Sequence, residues 1–151
     1  TSYVENPRSS TSLWRGDGLQ IAYDTLHNAT PKTVGYQDDD YEFSVGKFKG
    51  KSLVFMHNSA AATYDSLDKP VGFVPGVKRS IKTTSTGTVY ELAFPRLLVS
   101  PFRLEPDSSM RFNIILNINN GKDRIGWLEL APGIGQMPKK PGSFMDIVLT
   151  K

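Results

Sequence analysis

Apolar and polar residues alternate in a series of short windows along the chain, and turn residues separate those windows at intervals too short for helices. The clearest window is Gly18 to Asp24, where an extended backbone puts Leu19, Ile21 and Tyr23 on one face and Gln20, Ala22 and Asp24 on the other. Tyr41 to Val45 repeats the pattern, with Tyr41, Phe43 and Val45 opposite Glu42 and Ser44. Further strands are expected over Ser52 to His57, Val71 to Val74, Thr88 to Phe94, Met110 to Asn117, Arg124 to Leu130 and Ser143 to Leu149. Pro70, Pro75, Pro95, Pro101, Pro106, Pro132, Pro138 and Pro141 all fall between these windows, where a missing N–H breaks no ladder. Eight short strands without a long helix predict an all-β chain folded as an antiparallel β-sandwich. Ser59 to Leu67, despite Ala60-Ala61-Ala62, reads as a loop with at most one helical turn. Lys78 to Gly87 is rich in Thr and Ser and fits either a surface loop or an edge strand.

Composition narrows the chemistry. The 151 residues suit one domain, 1–151, with a sizeable core. Cysteine is absent, which excludes disulfides, cysteine-bound zinc, iron–sulfur clusters and a thiol nucleophile. The net charge is +3, its cations scattered apart from Lys47 to Lys51 and Lys139-Lys140, so nucleic acid is not an implied partner. No apolar run approaches the roughly 18 residues of a membrane span, so membrane insertion is not expected. The chain starts at Thr1 without a methionine or an apolar leader, and is read as part of a larger protein. His27 and His57 are its only near-neutral bases, and no nucleophile elbow, His-Glu-x-x-His or glycine-rich phosphate loop accompanies them. No enzyme and no organic cofactor are expected.

Several motifs occur in a fixed order: Leu13-Trp14-Arg15-Gly16-Asp17-Gly18-Leu19-Gln20-Ile21-Ala22-Tyr23-Asp24, Gly35-Tyr36-Gln37-Asp38-Asp39-Asp40-Tyr41-Glu42-Phe43, Tyr90-Glu91-Leu92-Ala93-Phe94-Pro95, Phe112-Asn113-Ile114, Gly126-Trp127-Leu128 and Pro132-Gly133-Ile134-Gly135. In this series the chain resembles the family 9 carbohydrate-binding modules and related sugar-binding domains, from about Val4 to the C-terminus. The resemblance implies a jelly-roll-like β-sandwich of bacterial origin, covalently linked to a secreted polysaccharide-degrading enzyme and often holding structural calcium. It places the protein outside the cell, on the cell surface or in the periplasm. The implied ligand is a poly- or oligosaccharide held between two tryptophan rings and hydrogen-bonded from the sheet. Trp14 falls on the first of those rings, and Gln20 and Glu42 fall on two of the polar positions. A third polar position carries Ile115, and the segment expected to bring the second ring, Gly135-Gln136-Met137-Pro138, has no tryptophan. The family also has several strands ahead of Val4-Glu5-Asn6-Pro7. Here they are truncated, replaced by the segment Gly46 to Lys82, or supplied by another polypeptide such as an N-terminal fragment.

The residue types fit the chemistry, because a sugar presents apolar C–H faces to a ring and a fringe of hydroxyls to amides and carboxylates. Trp14 is open to two readings, ligand platform or partly buried loop plug. Gln20 and Glu42 are expected side by side on the solvent face of a sheet. Trp127, inside a strand-like run, is expected to pack in the core. Asp38, Asp39 and Asp40, with Asp24 or a carbonyl, form one calcium constellation, and Glu5, Asn6 and Asp17 form a second one suggested by the resemblance. The plainer reading of the Asp38-Asp39-Asp40 run is a solvated acidic turn. The alternative to sugar binding is a structural or protein-interaction sandwich that has lost its sugar site, favoured by Ile115 and the missing ring.

Overall fold

The computed structural model describes every residue except 1, 2, 7 and 62–70. Among the described residues there are nine strands: β1 (Gly18–Asp24), β2 (Asp40–Phe48), β3 (Lys51–Asn58), β4 (Gly72–Phe73), β5 (Lys78–Thr83), β6 (Thr88–Ala93), β7 (Ser109–Asn119), β8 (Arg124–Glu129) and β9 (Met145–Val148). Single 3-10 turns occupy Leu13–Arg15, Arg96–Val99 and Pro141–Ser143. Seven strands form one sheet in the order β4-β3-β2-β1-β7-β8, with β9 alongside β8 on the same edge of β7, and β5 and β6 form a second sheet of two. Every pairing is antiparallel, and the fold is the expected jelly-roll-like β-sandwich with very unequal layers.

The alternation read in β1 sets both faces of the large sheet. Leu19, Ile21 and Tyr23 meet Tyr41, Phe43 and Val45 of β2 and Val54 and Met56 of β3, and the small sheet closes over them with Val77 and Ile81. Four aromatic rings centre this core. Tyr41 and Phe43 stack at 5.8 Å between centroids, and Phe94 meets Phe43 edge-on at 5.0 Å, each such pair adding about 1 kcal/mol beyond the area it buries. Buried phenols need acceptors, and these two find them in one loop: Tyr23 donates to the Leu98 carbonyl and Tyr41 to that of Ser100 at 2.7 Å.

The segment read as either loop or edge strand is a strand. β5 pairs with β6 from Lys78 opposite Ala93 to Thr83 opposite Thr88, although Ile81 is its one apolar residue and its single buried one. With no alternation to read, only its partner defines it. Most of the loop expected at Ser59 to Leu67 lies outside the described residues.

The opposite face of the large sheet is covered as well. Ala22 and Ile115 pack beneath Ile134 and Phe144 of the segment between β8 and β9, with Tyr36 against them. All seven residues of β1 are buried in consequence. No helix among the described residues is long and apolar enough to cross a membrane.

Candidate functional site

The polar face of the sheet holds a cavity of about 280 Å³, lined by Trp14, Gln20, Glu42, His57 and Arg124 and by the Ile134–Gln136 segment with Lys139. Trp14 is carried by the 3-10 turn ahead of β1. Buried Leu13 anchors that turn, Asn119 donates its amide to the Arg15 carbonyl, and Asp17 ties it down by accepting from the Val4 and Asn119 backbone N–H groups, both at 2.9 Å.

Gln20 and Glu42 are brought together diagonally, since Gln20 faces Ser44 across the β1–β2 ladder and Glu42 faces Ala22. The Gln20 amide donates to Glu42 Oε1 at 2.7 Å, and Lys139 Nζ reaches the same oxygen at 3.2 Å while donating to the Ile134 carbonyl at 2.7 Å. Both Gln20 and Glu42 are 5% exposed, so the expected open sheet surface is instead the floor of a cavity roofed by the Ile134 segment. The carboxylate fixes which way the Gln20 amide points. Its Oε1 is consequently left buried and without a partner, an acceptor facing no donor of the protein.

His57 completes the floor from β3, with Nε2 2.7 Å from Ser44 Oγ and its ring 4.9 Å from that of Phe55. Burial pushes its pKa below the ordinary histidine value, the Lys139 cation acts in the same direction and Glu42 opposes both, so the ring is neutral at pH 7. Met56, its neighbour, is buried in the core on the other face, as strand alternation requires.

Arg124 lies over two rings at once. Its guanidinium carbon is 4.9 Å from the Trp14 centroid and 4.6 Å from that of Trp127, and its Nη1 donates to Asn117 Oδ1 at 3.0 Å. Arg15 also lies over Trp14, at 4.7 Å. Burial first, and Arg15 second, lower the Arg124 pKa. Trp127 is 40% exposed on the polar face, which corrects the expectation that it packs in the core. The register shows why: β8 sets Trp127 opposite Asn117, and Gly135 lies so close to the indole edge that a side chain there would clash. Ile115, the apolar residue at the third polar position, is fully buried under Ile134 and Phe144.

Of the acidic residues, Asp39 and Asp40 converge with Asp24, their carboxylates within 4.8 Å of one another and all three residues buried. Asp38 is exposed and outside the cluster; its carbonyl accepts from Ala61 N–H, and Asp24 takes the place expected for it. Burial, opposed by the Gln37 N–H and reinforced by Asp39 and Asp24, pushes the Asp40 carboxyl up to about 7, and burial raises Asp39 as well. Asp40 Oδ1 is buried without a partner. Arg111 pairs with Asp24 at 3.5 Å and both oxygens of Asp24 and of Asp39 accept N–H groups, so Asp40 Oδ1 is the uncommitted oxygen through which these close carboxylates fit a hard divalent cation. Glu5, Asn6 and Asp17 fit one less well. Glu5 accepts from Gly50 N–H, Asn6 Oδ1 from Arg8 N–H, and both Asp17 oxygens are committed to backbone N–H groups.

No protein-family model matches the sequence, and no curated protein matches it. A solved carbohydrate-binding module of family 9 from Caldicellulosiruptor kristjanssonii, in complex with glucose, superposes with a TM-score of 0.65 over 97% of this chain at 17% identity. The chain has the fold of a family 9 carbohydrate-binding module. A second structure of such a module from that organism, in complex with cellotriose, gives 0.64 over 97% of this chain, again at 17% identity. The chain spans 65% and 64% of the lengths of these two family 9 structures.

Proposed function

We propose that the chain is a non-catalytic saccharide-binding module that anchors a larger, secreted bacterial protein to a poly- or oligosaccharide outside the cell or in the periplasm. The observation that carries this reading is the buried, unpartnered Gln20 Oε1 on the floor of a ring-flanked cavity, since a sugar hydroxyl is the donor it lacks. A pyranose ring lies with its C–H face toward Trp14, one hydroxyl donates to Gln20 Oε1, and others reach Glu42 and the donors of Lys139 and Arg124. Stacking on Trp14 displaces one of its two guanidinium groups, at a cost of about 0.5 to 1 kcal/mol for an exposed cation–π contact. Affinity in the millimolar to micromolar range follows, because a few hydrogen bonds and one ring must offset desolvation and ordering. The family 9 structures of the same fold carry glucose and cellotriose, which makes glucose and cello-oligosaccharides the first ligands to titrate. Calorimetry is expected to show saturable binding that Trp14→Ala weakens at least tenfold. Unchanged affinity in that variant would remove Trp14 as the platform, and silence across a glycan array from folded protein would remove the sugar reading.

Calcium belongs to the same proposal as a structural ion, held by Asp24, Asp39 and Asp40 at the end of the polar face. The second reading is a protein-interaction sandwich without sugar affinity. It is favoured by Ile115, whose apolar side chain occupies a position where the resemblance expects a polar contact.

A further inference from the structure

We propose that the apolar face left uncovered on β7, β8 and β9 is a docking surface for an extended polypeptide segment from outside residues 1–151. That segment is apolar at every second position, pairs with the free edge of β6, and so widens the small sheet. This surface lies on the opposite side of the large sheet from the sugar cavity, and the inference stands independently of sugar binding.

Register shows the surface to be one continuous patch. Along β7, Phe112, Ile114 and Leu116 point to the core side, where Met145 of β9 faces Phe112 and Leu128 of β8 faces Leu116. In a complete sandwich these positions would be buried. Instead Leu128 is 65% exposed, Met145 46% and Leu116 37%. The cause lies in the layers, two strands opposing seven. Among the described residues the small sheet ends at β6, and beyond it a cavity of about 400 Å³ opens between Tyr90 and Leu92 on one side and Ile21, Phe112 and Ile114 on the other. A contiguous exposed apolar patch marks an interaction site, and an unpaired strand edge beside it marks a site for a strand.

The occupant follows from those two features together. A lipid or small apolar ligand would cover the side chains and leave the β6 backbone unmatched, whereas an extended peptide satisfies both. The β6 strand of a second copy does not serve, because it turns Tyr90 and Leu92 into its own core. The amount of chain agrees: the solved modules with this fold match nearly all of these 151 residues and have about a third of their own length left over.

The test adds an eight-residue peptide, alternating valine with threonine and ending in lysines, to the 151-residue chain. Amide hydrogen exchange and binding of the dye ANS are the readouts. The peptide is expected to slow exchange at the β6 amides that do not pair with β5 by at least tenfold, and to displace the dye. Leu128→Lys, at an exposed position, leaves the fold intact and removes both effects. Val34→Lys, exposed in the loop whose Gly35 N–H bonds the Lys139 carbonyl on the cavity side, keeps them. No protection at saturating peptide overturns the proposal, as does equal protection by a peptide of the same composition with its valines clustered. Sedimentation of the chain alone as a dimer with β6 already protected also overturns it, in favour of a second copy.

Discussion

The two faces of the large sheet are built from the same strands by opposite means. On the face bearing Gln20, Glu42, Ser44 and Asn117, each side chain has a named partner: Gln20 and Lys139 meet on Glu42, Ser44 meets His57, and Asn117 joins the Gly18 carbonyl to Arg124. On the other face Ile21, Phe43 and Val54 need only apolar neighbours, and where the second layer stops the side chains of β7 and β8 are left without them. The difference teaches how an unfilled site shows itself. A buried polar atom without a partner costs roughly 1 to 3 kcal/mol, so Gln20 Oε1, Tyr36 Oη and Asp40 Oδ1 each mark a single point on the polar side, two of them in the proposed sugar and calcium sites. Apolar exposure is graded by area and has no direction, so it locates a surface.

The largest expected effect divides the apolar face itself. Phe43→Ala should cost about 3 to 5 kcal/mol in urea denaturation, because Phe43 is fully buried among Tyr23, Tyr41 and Phe94 and its removal leaves a cavity. Leu128→Ala should cost within about 0.5 kcal/mol, since that side chain is already in water. Similar losses in the two variants would mean that the uncovered half is packed after all.

Calcium tests the polar face next. At 100 times its dissociation constant it should stabilise the fold by about 2.7 kcal/mol, read as a rise in Tm that a chelator reverses. Asp40→Asn should abolish that rise. Without calcium the same variant should be more stable than the parent, because an amide beside Asp24 and Asp39 donates where a third carboxyl repels. A Tm indifferent to calcium, or a calcium response that survives the substitution, would break the assignment.

Legibility in the sequence followed the same division. Alternation in β1 and β2 gave the strands, their two faces and the core residues, because burial on one side imposes a period of two. The polar partners were half visible. Trp14, Gln20 and Glu42 converge on the cavity, yet His57, Lys139 and Arg124 arrive from three other segments, and their joining depends on register and on the path of the Ile134–Lys139 loop. Trp127 was misplaced for a related reason: Leu128, its neighbour in β8, takes the core side, and parity alone does not say which of the two faces inward. β5 lacked a pattern, and Asp24 replaced Asp38 because Asp40 sits opposite Asp24 across the β1–β2 ladder.

The smallest effect expected is in the pH response of the polar face, through His57. Its ring is buried against Phe55 and Ser44, with Glu42 and Lys139 the charges that face it, and burial leads in holding its pKa below the ordinary value of 6.5. The native state therefore resists a proton that the unfolded chain accepts. Above pH 6.5 both states are neutral and the full stability is present; as pH falls below 6.5 the unfolded chain binds the proton first, and stability declines until the native ring titrates too. The slope from one such group stays below about 1.4 kcal/mol per pH unit. Asp40, raised to about 7, works in the opposite sense over the same range, so His57 is read as a difference: between pH 6.5 and 5 the midpoints of His57→Gln, whose side chain can still hydrogen-bond Ser44 but does not titrate, should climb relative to those of the parent. Equal slopes would show that another group governs the acid limb, and that His57 sits in a wetter environment than the cavity floor implies.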